Sequence, residues 1–231
     1  MTECHHTLEI VPSQPLSNSE QHEYLEWACH RWCHDSSSVR YSCPATDVWF
    51  DEEVPLSHAV NAIVTHGSGT ITGLQSDGLA FTISIGMGSL EGVDSMTVST
   101  EESTFKSAST TGDRGDRVDE WVSLMKLFYK RFDAVLAFAT IESVDEAGTG
   151  ELEFRLTADD VRNRRISDVF WLMILESKFV QAIQLEDVYN DPNVEIEVLA
   201  DESLLVQFVA NPLDFGPERK RQLRKILLSS S

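Results

Sequence analysis

Basic residues are scarce in this chain. Lysine and arginine together number 18 against 38 aspartates and glutamates, a formal net charge of -20. A surface of that sign repels phosphate backbones and anionic lipid, so neither nucleic acid nor a membrane is an expected partner. It favours a basic partner, or a salt-rich cytoplasm in which self-repulsion is screened. Long apolar runs are missing too. The longest, Val169–Leu175, is far too short to span a bilayer. Residues 1–16 carry Glu3, Pro12 and Pro15 and lack both the basic start and the apolar core of an export signal, so a cytoplasmic location is expected. Cysteine is sparse: Cys4, Cys29, Cys33 and Cys43 admit three pairings, and without export free thiols are the expectation. On the same ground Arg114-Gly115-Asp116 reads as a loop and not as an adhesion signal.

Catalytic signatures are absent as well. The chain holds no Gly-x-Ser-x-Gly elbow, no His-Glu-x-x-His and no Walker-type loop. Carboxylate pairs are so common in an acidic chain that they say little about acid–base work. The expectation is a protein that is not an enzyme and needs no cofactor or metal.

What is present suits a folded domain. A 231-residue chain that is 42% hydrophobic can bury a sizeable core, and a single domain is expected over 1–231. Thr7–Val11 alternates as a strand. Ser17-Asn-Ser-Glu20 has capping-box spacing and opens a helix to about His34, with Leu25, Ala28, Cys29, Trp32 and Cys33 on one stripe. Val39–Phe50 reads as extended with a bend at Pro44. A helix runs from Pro55 to Gly67, its inner face Leu56, Ala59, Val60, Ile63 and Val64. Thr70–Leu74 and Leu79–Ile85 form a hairpin through Ser76-Asp77-Gly78, and Ser95–Ser99 another strand. Residues 100–116, rich in Ser, Thr and Gly, read as a mobile loop.

A third helix carries Val118, Trp121, Val122, Met125, Phe128 and Phe132 on one face, acids at its start and bases at its end. Strands are expected at Ala134–Ile141, Glu151–Leu156 and Val169–Leu175, with an acidic turn at Asp145–Gly150 and a polar stretch at Asp159–Arg165. Lys178–Leu185 is a short helix. Val194–Leu199 and Leu204–Val209 pair across Ala200-Asp201-Glu202. Pro217 opens a terminal helix with Leu223, Ile226 and Leu227 inward and Arg219, Lys220, Arg221, Arg224 and Lys225 largely outward. Helices and strands mix without a βαβ rhythm, which predicts an α+β fold with a mostly antiparallel sheet and packed helices.

Three clusters carry candidate chemistry. Cys29-His30-Arg31-Trp32-Cys33-His34, with Cys4, His5 and His6 upstream, holds zinc-ligand types and nears a haem-attachment spacing. Both cysteines share the apolar stripe, so buried thiols are the preferred reading. Gly86-Met87-Gly88-Ser89 looks like a phosphate-cradling loop, but no helix follows it and it reads as a turn. Asp51-Glu52-Glu53, just ahead of a helix, holds a cation, meets a basic partner or is a solvated helix start, the last being the preferred reading.

From about residue 120 the chain resembles a known family. The helix Trp121–Phe132 leads into Phe132-Asp-Ala-Val-Leu-Ala-Phe-Ala-Thr140. Phe170-Trp171-Leu172, Phe179-Val180 and the hairpin Val194–Val209 follow, then Asn211-Pro212-Leu213-Asp214-Phe215 and a closing Arg/Leu-rich helix. This order is similar to the immunity protein 52 family of bacterial polymorphic-toxin systems. The resemblance implies a non-enzymatic α+β domain that binds and neutralises a toxin, with no catalytic residues to carry over. An acidic inhibitor suits a basic toxin or another basic protein, because complementary charge speeds encounter and selects partners. The candidate partner-binding residues are Asp51, Glu52 and Glu53, then Asp201 and Glu202 at the hairpin tip. Rival readings are a housekeeping acidic domain of a salt-adapted organism and a Cys/His metal-dependent enzyme.

Overall fold

A computed structural model describes residues 5–32, 37–74, 80–101, 103–106, 114–142, 154–181 and 186–228. Among the described residues ten strands form one sheet: β1 His5–Pro12, β2 Ser38–Cys43, β3 Val48–Pro55, β4 Gly69–Leu74, β5 Ala80–Ile85, β6 Met96–Glu101, β7 Ala134–Glu142, β8 Leu172–Leu175, β9 Glu195–Val198 and β10 Leu204–Gln207. Their order is β3-β2-β4-β5-β6-β1-β7-β8-β10-β9, and every described pairing is antiparallel. The fold is α+β, as the mixed pattern of elements predicts.

Side-chain alternation gives the sheet two unlike faces. Leu8 stands beside Val98 and Ala139, and Ile10 beside Met96 and Ala137. Tyr41, Ile71 and Ile83 continue that row. Helices α1 (Asn18–Trp32), α2 (Leu56–His66) and α4 (Arg114–Arg131) cover this apolar face. Tyr24 of α1 donates its hydroxyl to the Thr97 carbonyl at 2.7 Å, and Trp32 meets Phe81 edge-on. The opposite face carries hydroxyls across the first half of the chain. Ser42, Thr70, Ser84, Thr97 and Glu9 are cross-strand neighbours in one row. Beyond β1 the row turns apolar at Phe138, on which Phe170 stacks at 4.4 Å between ring centroids.

The helix boundaries follow local chemistry. Ser17 Oγ accepts the Glu20 amide at 3.3 Å while Glu20 Oε2 accepts the Ser17 amide at 2.8 Å, a completed capping box. Gly67 closes α2 with φ +73°, a left-handed turn that a side chain would strain. The inner faces foreseen for α2 and α4 are buried, apart from a half-buried Val122.

Other expectations are corrected. The loop over 100–116 is interrupted: β6 runs through Glu101, α3 occupies Ser103–Lys106, and α4 begins at Arg114. The cause is Phe105, which is buried against His6 and Trp121 and ties this polar stretch to the core. Residues 107–113 lie outside the described residues, as do the 75–79 connection, the acidic turn 145–150 and residues 182–185. Phe154–Leu156 is irregular and not a strand, because Phe154 packs on Phe138 and Phe170 and the Arg155 amide bonds the Asp168 side chain at 3.0 Å; 151–153 lie outside the described residues. The polar stretch after it forms α5 (Ala158–Arg162), started by a capping box between Thr157 and Asp160. The helix expected from Lys178 is a single turn, α6 (Ser177–Val180), and α7 (Glu186–Tyr189) adds another.

The largest correction concerns the terminal helix α8, Pro217–Leu228. Lys220 is buried, and the Arg219 and Arg224 side chains are only 16% and 11% exposed, whereas Arg221 and Lys225 are outward as expected. Asp168, fully buried, draws two of these cations in. Its Oδ2 accepts Lys220 Nζ at 3.1 Å and its Oδ1 accepts Arg224 Nε at 2.9 Å and the Val169 amide at 2.7 Å. Lys220 Nζ also lies 5.3 Å from the Phe170 ring centroid. A carboxylate so satisfied can tolerate burial, and removing it would take the counter-charge from the buried Lys220.

Candidate functional site

The edge strand β3 brings together the first group of predicted residues. Trp49 sits opposite Ser42 and Glu53 opposite Arg40, so Phe50, Asp51 and Glu52 together face only Tyr41. This bulge, with Phe50 in the left-handed region at φ +58°, bends the free edge of the sheet. The carboxylate run thus lies within an edge strand, ahead of α2 and not in its first turn, which holds no acid. Glu52 and Glu53 are exposed, and Glu53 faces Arg40 at 3.8 Å. Trp49 was not among the predicted residues. It is 53% exposed, and its indole N–H donates to Asp47 Oδ1 at 2.7 Å. A half-exposed indole hydrogen-bonded to a carboxylate is the type of anchor that dominates protein interfaces.

Asp201 and Glu202 lie at the β9–β10 turn, on the opposite edge of the sheet. Both are exposed, and Asp201 accepts hydrogen bonds from the Ser203 amide and hydroxyl. Nine strand spacings separate the two edges, on the order of 40 Å in a sheet with ordinary strand separation. The five predicted residues therefore fall into two groups, at opposite ends of the strand order.

Among the described residues the thiols and imidazoles do not converge on a common site. Cys29 is buried in the core, and Cys43, also buried, donates weakly to the Ser68 carbonyl at 3.7 Å. Cys4, Cys33 and His34 lie outside the described residues. Among the described residues no group of three His, Cys, Asp or Glu side chains could hold a metal ion. No described helix is long and apolar enough to cross a membrane.

Glu9 occupies the place a phosphate would take in the Gly86–Ser89 loop. It is fully buried at the end of the hydroxyl row, and its Oε2 accepts the Ser89 amide at 2.8 Å. Gly88 permits the close approach, since a Cβ there would stand 2.0 Å from Ser95 Oγ and 2.3 Å from Glu9 Oε1. Burial pushes the Glu9 carboxyl above the ordinary carboxylate range, and the Ser89 amide pulls it only part of the way back. The loop is thus filled by the chain's own carboxyl group. One acid inside an otherwise apolar strand, Thr-Leu-Glu-Ile-Val, was the signal in the sequence.

No protein-family model matches the chain, and no curated protein matches it closely enough to count as a relative.

Proposed function

We propose that this chain is a non-catalytic protein-binding domain of the toxin-neutralising kind, directed at a basic protein. The observation that carries the reading is Trp49, which is half-exposed on an edge strand, bonds Asp47, and shares that strand with the exposed Glu52 and Glu53. Indoles supply buried contact area at low entropic cost, while carboxylates around them steer a positively charged partner and set its register. The resemblance of the second half to immunity proteins supports the same class. A nuclease toxin suits the charge, because nucleases present basic substrate channels.

Affinity capture from native lysate at native salt is the test, run with the natural chain and with a Trp49→Ala variant. A basic protein held by the first and lost by the second is the expected result. A natural chain that retains no specific protein at any salt concentration overturns the reading.

A further inference from the structure

The two edges of the sheet differ in their fitness to accept another strand. β3 carries the bulge, the left-handed Phe50 and a terminal proline, all of which spoil a regular ladder. β9 pairs with β10 at every residue from Glu195 to Val198 without a register shift, and nothing pairs with its other side among the described residues. Glu195, Glu197 and Val198 are exposed, Val198 to 65%. An edge like this offers backbone donors and acceptors, and its glutamates repel a second copy of the same acidic strand.

An open hollow of about 540 Å³ lies at the end of β9, with Glu195, Gln207, Asp214, Arg219 and Gln222 in its wall. The Arg219 charge is already matched. Its Nη1 lies 2.8 Å from Asp191 and its Nη2 donates to the Phe208 carbonyl at 3.2 Å. That contact with Arg219 holds the Asp191 carboxyl below the usual carboxylate range. Glu195 and Asp214 enter no described ion pair, so the hollow as a whole is acidic and flanked by side-chain amides. It suits a guanidinium or ammonium group.

We infer that β9 takes up an extended basic segment of a protein partner as an added strand, with one arginine or lysine side chain entering the hollow between Glu195 and Asp214. The inference rests on the protein-binding reading above and assigns a second contact for a partner of that class. Backbone pairing supplies the affinity in this mode and side-chain pockets supply the choice of sequence. The glutamates that exclude a like strand favour a basic one. Lys126, 2.5 Å from Glu197, holds that side chain toward α4 and leaves Glu195 as the β9 glutamate that lines the hollow.

The probe is the peptide acetyl-Thr-Val-Arg-Val-Arg-Thr-amide, followed by backbone amide chemical shifts of the full chain. Shift changes confined to 193–198 and 207–222 are expected, with affinity falling about tenfold or more in Glu195→Gln/Asp214→Asn. Replacing both peptide arginines by glutamate should abolish binding. N-methylation of alternate peptide residues should abolish binding in one frame and spare it in the other. Equal binding by the glutamate peptide, equal binding in both methylated frames, shifts centred elsewhere, or no binding at about 1 mM each overturns the inference. Failure of the peptide together with a captured partner that depends on Trp49 removes the β9 site and leaves the binding reading intact. Success of the peptide without any captured partner does the reverse.

Discussion

Lys220 Nζ lies 3.1 Å from Asp168 Oδ2, and both residues are buried. Burial lowers the Lys220 pKa and the Asp168 charge opposes that shift. Arg224 shares the same carboxylate from one turn further along α8, at 2.7 Å. One aspartate thereby anchors the terminal helix to the Phe170 side of the sheet.

Asp168→Ala is expected to destabilise the fold by about 3–5 kcal/mol, because the buried Lys220 loses its counter-charge and Arg224 loses one ion pair. Lys220→Met should cost clearly less, since Arg224 still pairs with Asp168 and the methionine fills the apolar space. Urea unfolding of both variants measures this. Equal losses would show that the carboxylate is not the hub.

Glu9 links stability to pH with a definite sign. Its folded-state pKa is raised above the ordinary value of 4.5, so the folded chain holds this proton more tightly than the unfolded chain. Its contribution is complete below pH 4.5 and is lost as pH rises through the folded value. Glu9→Gln should therefore gain stability relative to the natural chain as pH increases over that window. Paired thermal melts between acid and neutral pH read the difference directly, and a difference that stays constant with pH contradicts the assignment.

The elements whose chemistry is local were legible in the sequence. The α2 stripe, the α4 stripe and the Ser17–Glu20 box each depend on residues within a few turns of one another. The misread features depend on partners distant in the chain. Asp168 and Lys220 are 52 positions apart, and charge alone sent Lys220 outward. Helical spacing held the correction, because Lys220, Leu223 and Leu227 fall on one face and all three are buried. For the candidate site, the acidic run at Asp51–Glu53 was visible. The bulge that displaces it and the exposure of Trp49 depend on pairing with β2, which no local pattern encodes.

The net charge of -20 predicts a response to salt. Screening weakens repulsion among exposed carboxylates, so the thermal midpoint should climb across a KCl series from low to molar concentration. A flat or falling series would show that the described ion pairs, such as Arg31–Glu120 and Lys126–Glu197, already balance the local fields.

The central claim is that Trp49 anchors a basic protein partner at the β3 edge. Titration calorimetry with the captured partner, comparing the natural chain with Trp49→Ala, tests it most directly. The side chain is half-exposed, so the substitution should change folding stability by no more than about 0.5 kcal/mol. Binding should weaken by at least 2 kcal/mol, about thirtyfold in Kd, if the indole is the anchor. An affinity unchanged by the substitution, in a variant that remains folded, contradicts the account.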